Sequence, residues 1–258
     1  MFFSAENTGG LLNIFTNRKG GKSSAPFNSL NFGFATGDDL QNVEENYRLL
    51  SKKAGFNKPI ITCKQVHKTG IAEVQEVHGA IEVNNGTVSG LFNPLNKNYI
   101  YSRIKADALY TETKNLPIGV YTADCLPVIV SDKKKSFVMA IHCGWRGVVD
   151  GIVEKSFVFL QNKGKTDFEV ILGPAINQCC FELKHEGNLF DPSSVKERNS
   201  SSYVNLKNEV RLRCSNTAKD LIKIDDIDHC TCCNKELFFS YRRDKTTGRH
   251  INIGCLQA

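Results

Sequence analysis

The stretch of residues 118–147 reads IGVYTADCLPVIVSDKKKSFVMAIHCGWRG. It contains three apolar segments rich in β-branched residues: Ile118 to Tyr121, Leu126 to Val130 and Ser136 to Ile141. Such segments, bounded by polar turn residues, are typical of buried strands. The pattern therefore predicts a hairpin that brings Cys125, at the start of one strand, beside His142, at the end of the next.

The segment after His142 reads as a turn and then a helix. Gly144 and Gly147 end the strand, and apolar residues recur with helical spacing before Gly164, at Val148, Val149, Ile152, Val153, Phe157 and Leu160. The start of this helix would lie next to His142. Because free backbone N–H groups at a helix start favour anions, this position is a candidate anion-binding site.

The remaining chain shows no repeat, low-complexity run or linker, and 258 residues suit a single domain, 1–258. Asp38 and Asp39 precede a predicted capped helix that ends at Gly55. Further predicted elements are strands at Ile60–Thr62, Ile71–Val77 and Phe168–Leu172, a helix at about Lys207–Lys223, and a strand from Leu237 that leads into an Arg-rich turn.

Composition narrows the possible partners and location. The net charge is +6, but the basic residues are scattered and no basic helix interleaved with aromatics occurs, so nucleic-acid binding is not expected. No apolar run approaches the roughly 20 residues of a membrane span. Met1–Glu6 has no basic region of a signal peptide. We expect a cytoplasmic protein whose ten cysteines are reduced thiols.

Three side chains are candidate metal ligands: His67, Cys125 and His142. Two imidazoles and a thiolate suit zinc, and three protein ligands leave a fourth position open for catalysis. Each residue alone has a structural alternative, as a surface or core histidine or as a small buried thiol. What favours a site is that each lies in or beside a turn.

A second group of cysteines lies further along the chain. Cys230 and Cys233 form a C-x-x-C pair, and Cys179 and Cys180 precede it. A structural zinc or a redox couple would use such a pair. No second C-x-x-C pair lies at zinc-finger spacing, so reduced, partly buried thiols are the alternative.

Several ordered motifs resemble the YfiH family, the laccase-domain proteins called polyphenol oxidases and purine nucleoside phosphorylases. These motifs are Ala106–Thr111, Thr122–Val128, His142–Gly147, Gly173–Ile176 and Ser240–Asp244, together with Gly20-Gly21, Ser29–Asn31 and Gly37–Asp39. Two departures are Cys143, where the family usually has Ala, and the cysteine-rich segment 229–233.

The resemblance implies an α+β fold in which mixed sheets pack against helices, similar to cysteine hydrolases. It also implies zinc at His67, Cys125 and His142, with phosphorolysis of adenosine, inosine and methylthioadenosine and deamination of adenosine. A copper-dependent oxidase is a further family attribution. Multicopper sites need many histidines, and the six in this chain are poorly clustered.

The expected chemistry assigns roles to further residues. Zinc lowers the pKa of bound water to about 7, which suits deamination, whereas phosphorolysis requires phosphate to be positioned. The candidates for binding phosphate are the helix start after His142 and three arginines, of which two, Arg146 and Arg242, are expected to be catalytic and the third is Arg243. Further candidates for substrate or phosphate are Arg249, Asn31 and Trp145. Trp145 is alternatively a core anchor, and the arginines are alternatively solvated.

Asp124 has three possible roles: acid–base catalysis, orientation of a ligand histidine, or a turn cap. We favour orientation. A rival class is a thiol hydrolase in which Cys125 is the nucleophile and His142 its base.

Overall fold

The computed structural model describes residues 2–3, 9–93 and 97–258. The expectation of no signal peptide rests on Met1–Glu6. Phe2 and Phe3 are among the described residues, and the rest of this segment lies outside them. The helices in the described ranges are α1 (Leu40–Ala54), α2 (Trp145–Val149), α3 (Ile152–Asn162), α4 (Leu206–Thr217) and α5 (Tyr241–Asp244), with 3-10 turns at Gly187–Leu189 and Pro192–Ser194.

The same ranges contain strands that form three sheets. The strands are β1 (Phe2–Phe3), β2 (Leu11–Thr16), β3 (Ile60–Lys64), β4 (Ile71–Val77), β5 (Ala80–Asn84), β6 (Ser89–Phe92), β7 (Tyr99–Lys105), β8 (Ala108–Thr111), β9 (Ile118–Thr122), β10 (Leu126–Asp132), β11 (Val138–Cys143), β12 (Phe168–Leu172), β13 (Glu182–Leu183), β14 (Val195–Arg198), β15 (Ser201–Val204), β16 (Leu221–Asp226) and β17 (His250–Leu256).

Two large mixed sheets dominate the fold. One has six strands in the order β1-β2-β17-β9-β3-β7, and the other has eight in the order β16-β12-β10-β11-β8-β4-β5-β6. A small sheet orders its strands β13-β15-β14. Both large sheets contain parallel and antiparallel neighbours. The expected fold class, mixed sheets packed against helices, is confirmed.

Side-chain alternation on the strands builds the layers. In β10, Leu126, Val128 and Val130 pack in a core with α3 and α4, whereas Ile129 faces the six-stranded sheet. Strand residues alternate between the two faces of a sheet, so this segment is buried on both sides. The order of layers is therefore α1, the six-stranded sheet, the eight-stranded sheet, and α2 to α4.

The predicted hairpin is the central feature of the eight-stranded sheet. Strands β10 and β11 pair antiparallel, with Leu126 opposite Cys143 and Pro127 opposite His142. Cys125 directly precedes β10, so it lies at the same end of the sheet as His142. Cys143 points into the core with α3, and alternation turns His142 toward the other face of the sheet.

The first predicted helix is also confirmed. The Asp39 carboxylate accepts from the Gln41 N–H at 2.9 Å, and Gly55 ends α1 with φ of +72°, which suits glycine. Val43, Tyr47 and Leu50 cover the outer face of the six-stranded sheet. Each fully buried aliphatic side chain of this kind contributes roughly 1.5–3 kcal/mol.

Three predicted elements differ from the structure. The helix expected after Gly147 is two helices, because Gly151 adopts φ of +90° and breaks the helical backbone. The helix expected to reach Lys223 ends at Thr217, and Leu221 begins β16, whose pairing with β12 overrides the apolar spacing. Leu237 begins no strand and is followed by α5, whereas β17 was not predicted.

None of the helices in the described part of the chain combines the length and apolarity that crossing a membrane requires.

Buried His250 should make stability depend on pH. Burial and the charges of Arg18, Arg249 and Arg243 lower the pKa of His250 to about 3, and its Nε2 accepts from the Phe239 N–H at 2.9 Å. In the unfolded chain the His250 imidazole takes up a proton near pH 6.5, whereas in the folded protein it stays neutral until the pH approaches 3. The contribution of neutral His250 to stability is therefore complete above pH 6.5 and is lost as the pH falls from 6.5 toward 3.

We expect His250→Gln, whose Oε1 can accept the same bond without titrating, to reduce acid destabilisation. Urea unfolding at about pH 7.5 and about pH 5 should show the wild type losing about 2 kcal/mol more than the variant between the two conditions. Equal losses of stability in the two proteins would show that folding does not lower the pKa of His250.

Candidate metal centre

Three separate segments bring His67, Cys125 and His142 together. His67 lies in the loop after β3 with φ of +57°, Cys125 lies between β9 and β10, and His142 is in β11. Their ligand atoms all lie within 4.8 Å of one another. The imidazole rings of His67 and His142 are 4.8 Å apart and nearly perpendicular, at 72°. The side chains therefore surround one small volume.

A buried carboxylate, Asp107, connects two of these segments. Its side chain is 0% exposed and accepts from the backbone N–H groups of Val66, His67 and Lys68 at 3.2, 2.9 and 3.0 Å. It also accepts from the Nδ1 of His142 at 2.9 Å, and its carbonyl accepts from the His142 N–H at 2.7 Å. This contact leaves Nε2 of His142 as the nitrogen that faces a metal.

Charge favours a thiolate at Cys125. Burial raises the pKa of this thiol, but the positive charges and hydrogen bonds of His142 and His67 outweigh burial and lower it to about 6. Burial lowers the pKa of His142, while Cys125 and Asp107 raise it to about 9. The pair is thus a thiolate beside an imidazolium when only protons are present. A metal would bind the thiolate directly and displace a proton from the imidazolium of His142.

Gly144 provides the space between the ligands. A Cβ at this position would lie 2.8 Å from Nδ1 of His67, 3.3 Å from Cε1 of His142 and 3.4 Å from Sγ of Cys125. Its φ of −71° is open to any residue, so space and not backbone conformation requires glycine here. Two imidazoles, one thiolate and this open corner fit a zinc ion with three protein ligands.

Asp124 does not contact either histidine ligand. Its carboxylate accepts from the Thr231 hydroxyl at 2.7 Å and from the Arg242 N–H at 2.6 Å, which lies in the first turn of α5. The orientation of His142 that was expected of Asp124 belongs to Asp107. Asp124 instead holds the segment before Cys125 to the turn that contains Thr231 and to the start of α5.

The candidate arginines differ in how much of each guanidinium is already committed. Arg243 makes five hydrogen bonds within the protein, to Asp244 twice and to the carbonyls of Thr231, Cys232 and Phe238, which match its five N–H donors. Phosphate binding by Arg243 stays a prediction that would require some of these bonds to break. Arg242 donates to the carbonyls of Glu182 at 2.9 Å and Cys180 at 3.5 Å.

Arg249 is half-buried, and its guanidinium is near enough to Cys125 for the charge of that thiolate to act on its pKa. Burial lowers its pKa, and negative charge at Cys125 and Asp124 acts in the opposite direction. The fully buried Asn31 accepts from the Arg249 N–H at 2.8 Å and donates to Asp38 at 2.9 Å. Its placement holds Arg249 in position and gives no support to the expected contact between Asn31 and substrate.

Arg146 and Trp145 form α2 with three further residues. The Arg146 guanidinium lies 4.4 Å from the centre of the Trp145 ring, and Trp145 is half-buried against the core. Because α2 is only five residues long, its dipole is small and the phosphate site expected at its start is weaker than a full helix would provide.

Sequence comparison agrees with the motifs. The family model described as multi-copper polyphenol oxidoreductase laccase matches residues 12–257. The chain belongs to this laccase-like YfiH family. A purine nucleoside phosphorylase of Haemophilus influenzae is 32% identical over 250 residues, covering 92% of this chain and 91% of the relative. The purine nucleoside phosphorylase YfiH of Shigella flexneri is 31% identical over 241 residues, covering 90% and 88%.

The fold is shared with solved members of the family. The crystal structure of YlmD from Geobacillus stearothermophilus superposes with a TM-score of 0.84 at 27% identity, covering 98% of this chain and 94% of that one. Asp107 has no role among the expectations drawn from the sequence. The signal was present, since Asp107 is an acidic residue between two apolar strand segments, where a buried charge needs specific partners.

Asp107→Asn should weaken metal binding. An amide donates on one side, so it cannot accept from three N–H groups and from His142 together. We expect zinc affinity, measured by competition with a chelator, to fall about 10- to 100-fold. Asp132→Asn is the matched control, because Asp132 is also buried, and its carboxylate accepts from the N–H and the hydroxyl of Ser136 in the hairpin turn, at the opposite end of β10 from Cys125. Equal affinities for both variants would contradict the assignment.

Gly144→Ala tests the space between the ligands. The added methyl group would meet all three ligand side chains, while the backbone tolerates alanine. We expect a variant with near wild-type melting temperature and a substoichiometric zinc content after exhaustive loading. Full zinc occupancy would show that the ion does not lie beside Gly144.

Proposed function

We propose that this chain is a zinc-dependent purine nucleoside phosphorylase that also deaminates adenosine. The observation that carries the proposal is the convergence of His67, Cys125 and His142 on one pocket, in a chain similar over nine tenths of its length to proteins named purine nucleoside phosphorylases. The proposed substrates are adenosine, inosine and methylthioadenosine, which phosphate would split into the free base and the ribose 1-phosphate.

The donor set supports zinc over copper as the resident metal. In the described ranges, the two groups of side chains able to hold an ion contain two histidines, His67 and His142, and otherwise cysteine. Multicopper oxidation needs a larger set of imidazoles, whereas two imidazoles with one thiolate are typical zinc ligands. Zinc held here would supply a Lewis acid with one open position.

The protein's own groups would position the reactants. In phosphorolysis a phosphate oxygen bonds to C1′ of the ribose while the bond from C1′ to the purine nitrogen breaks, and the purine leaves with the electron pair and takes up a proton. We assign the phosphate first to Arg249, because its guanidinium is near enough to Cys125 and Asp124 for their charges to act on its pKa. Arg146 and Arg242 are the further candidates, and Trp145 is a candidate wall for the purine.

Asp124 is assigned a positioning role. Its bonds to Thr231 and to the Arg242 backbone fix α5, which carries Arg242, relative to the ligand Cys125. A direct acid–base role for Asp124 stays a prediction.

Strand pairing further supports a single domain over residues 1–258. Strand β17, near the C-terminus, pairs with β2 on one side and with β9 on the other.

Incubation of zinc-loaded protein with adenosine tests the function. With phosphate we expect adenine and ribose 1-phosphate, and without phosphate only inosine, because deamination uses water. Cys125→Ser should lower both rates by on the order of 100-fold or more, since it removes a thiolate ligand. Cys143→Ala is the matched control, because this thiol points into the opposite core and should be dispensable. Absence of all products from zinc-loaded wild type would contradict the proposal.

A thiol hydrolase is the second candidate, and one observation favours it. Cys125, His142 and Asp107 form a connected series of thiolate, imidazole and carboxylate, which is the arrangement of a cysteine nucleophile with its base. Metal analysis with iodoacetamide labelling separates the two candidates. Stoichiometric zinc and slow labelling of Cys125 support the phosphorylase, whereas metal-free protein with rapid labelling supports the hydrolase.

A further inference from the structure

Four cysteines outside the His67 site also converge. The Sγ atom of Cys179 lies 3.7 Å from that of Cys230 and 3.6 Å from that of Cys233, and Cys180 lies 3.3 Å from Cys233. All four sulfurs lie within 4.8 Å of one another, and all are free thiols. The sequence contains one C-x-x-C pair, Cys230 and Cys233. In the fold, the adjacent residues Cys179 and Cys180 lie next to this pair.

We propose that Cys179, Cys180, Cys230 and Cys233 hold a structural zinc ion. A tetrahedral zinc with bonds of about 2.3 Å to sulfur places its ligand sulfurs about 3.8 Å apart. Three of the six sulfur pairs, at 3.3 to 3.7 Å, are slightly below this value and too long for a disulfide bond, and the other pairs lie within 4.8 Å. Four thiols lose their protons as the ion binds, and no oxidant or reductant is required.

The backbone around the cluster is arranged as expected for a metal-binding turn. The Asn177 N–H points at Sγ of Cys230 at 3.4 Å, and the Asn234 N–H closes the turn on the Cys230 carbonyl at 3.1 Å. An isolated β-bridge between Ala175 and Cys230 sets the two turns side by side. N–H groups directed at a thiolate offset its negative charge.

Positive charge beside the cluster matches the charge of the proposed site. Zinc with four thiolates carries a net charge of about −2. The Arg242 guanidinium donates to the carbonyl of Cys180 at 3.5 Å, and that of Arg243 donates to the carbonyl of Cys232 at 2.9 Å. Two cations thus lie next to the loops that would bear this charge, which reduces the cost of gathering four thiolates.

The cluster is linked to the His67 site through one residue. Thr231 lies inside the C-x-x-C turn, and its hydroxyl donates to Asp124, the neighbour of Cys125. Zinc at the cysteine cluster would therefore fix the turn of Thr231, and through Asp124 it would fix the segment that carries Cys125. This is a structural role in positioning, and it stands whether or not the proposed nucleoside chemistry is correct.

Zinc content per chain tests the proposal directly. Protein purified under reducing conditions and freed of loose metal should contain two zinc ions by elemental analysis, and His142→Ala should retain one. Cys233→Ser should lose one ion relative to wild type. Cys232→Ser is the matched control, because Cys232 lies in the same turn but outside the four converging thiols, and it should retain two.

Cobalt substitution gives a readout that is independent of activity. Cobalt-loaded His142→Ala protein should show the intense sulfur-to-cobalt absorption of a four-thiolate site, and this absorption should vanish in His142→Ala/Cys233→Ser. If Cys233→Ser does not fold, Cys179→Ser takes its place, since Cys179 is exposed.

Three outcomes would overturn the assignment. One is metal-free His142→Ala protein, another is stoichiometric iron at the cluster, and the third is a disulfide found by mass spectrometry of protein prepared under reducing conditions. Loss of nucleoside activity with two zinc ions retained would count against the proposed function and leave this site standing.

Discussion

The structure around the candidate metal centre depends on one buried carboxylate. Asp107 is surrounded by protein and yet bears hydrogen bonds that favour its ionised form: three backbone N–H groups and the ring of His142. Burial alone would raise its pKa, but these bonds and His142 keep the pKa below the usual range. A charge buried in this way is tolerated only when its partners are fixed, so the loop of His67 and the end of β11 are held in one arrangement.

The two-sheet architecture explains why the ligands meet at this place. The β10–β11 hairpin turns Cys143 into the helical core and His142 toward the six-stranded sheet, while Cys125 enters from the link between the two sheets. His67 follows β3 of the six-stranded sheet. The centre therefore lies where the two sheets meet at their strand ends, and Gly144 leaves room for it.

Local patterns in the sequence predict what local physics controls. The apolar runs of β9, β10 and β12 and the caps of α1 were all predicted, because period and capping are written within a few residues. The hairpin then suggested that Cys125 and His142 meet. Asp107 received no role because its partners, Val66 to Lys68 and His142, are about 40 residues away on either side. Gly151 and Leu221 were misassigned because a left-handed turn and a long-range strand pairing overrode helical spacing.

The cysteine cluster shows the same limit. Cys230 and Cys233 gave half of a recognisable motif, but Cys179 and Cys180 join it only because Ala175 bridges to Cys230 across more than 50 residues of chain. Adjacent cysteines in a sequence do not reveal which distant turn they face. That information resides in the packing of the loops beyond the eight-stranded sheet.

The position of β17 has a consequence for how the molecule assembles. This strand, drawn from residues 250–256, is inserted between β2 near the beginning of the chain and β9 in its middle. During synthesis on the ribosome, β2 and β9 emerge well before β17, the strand that pairs with both of them. Contacts between such distant segments slow folding, so the six-stranded sheet should be the late step of assembly, while the β10–β11 hairpin can form early.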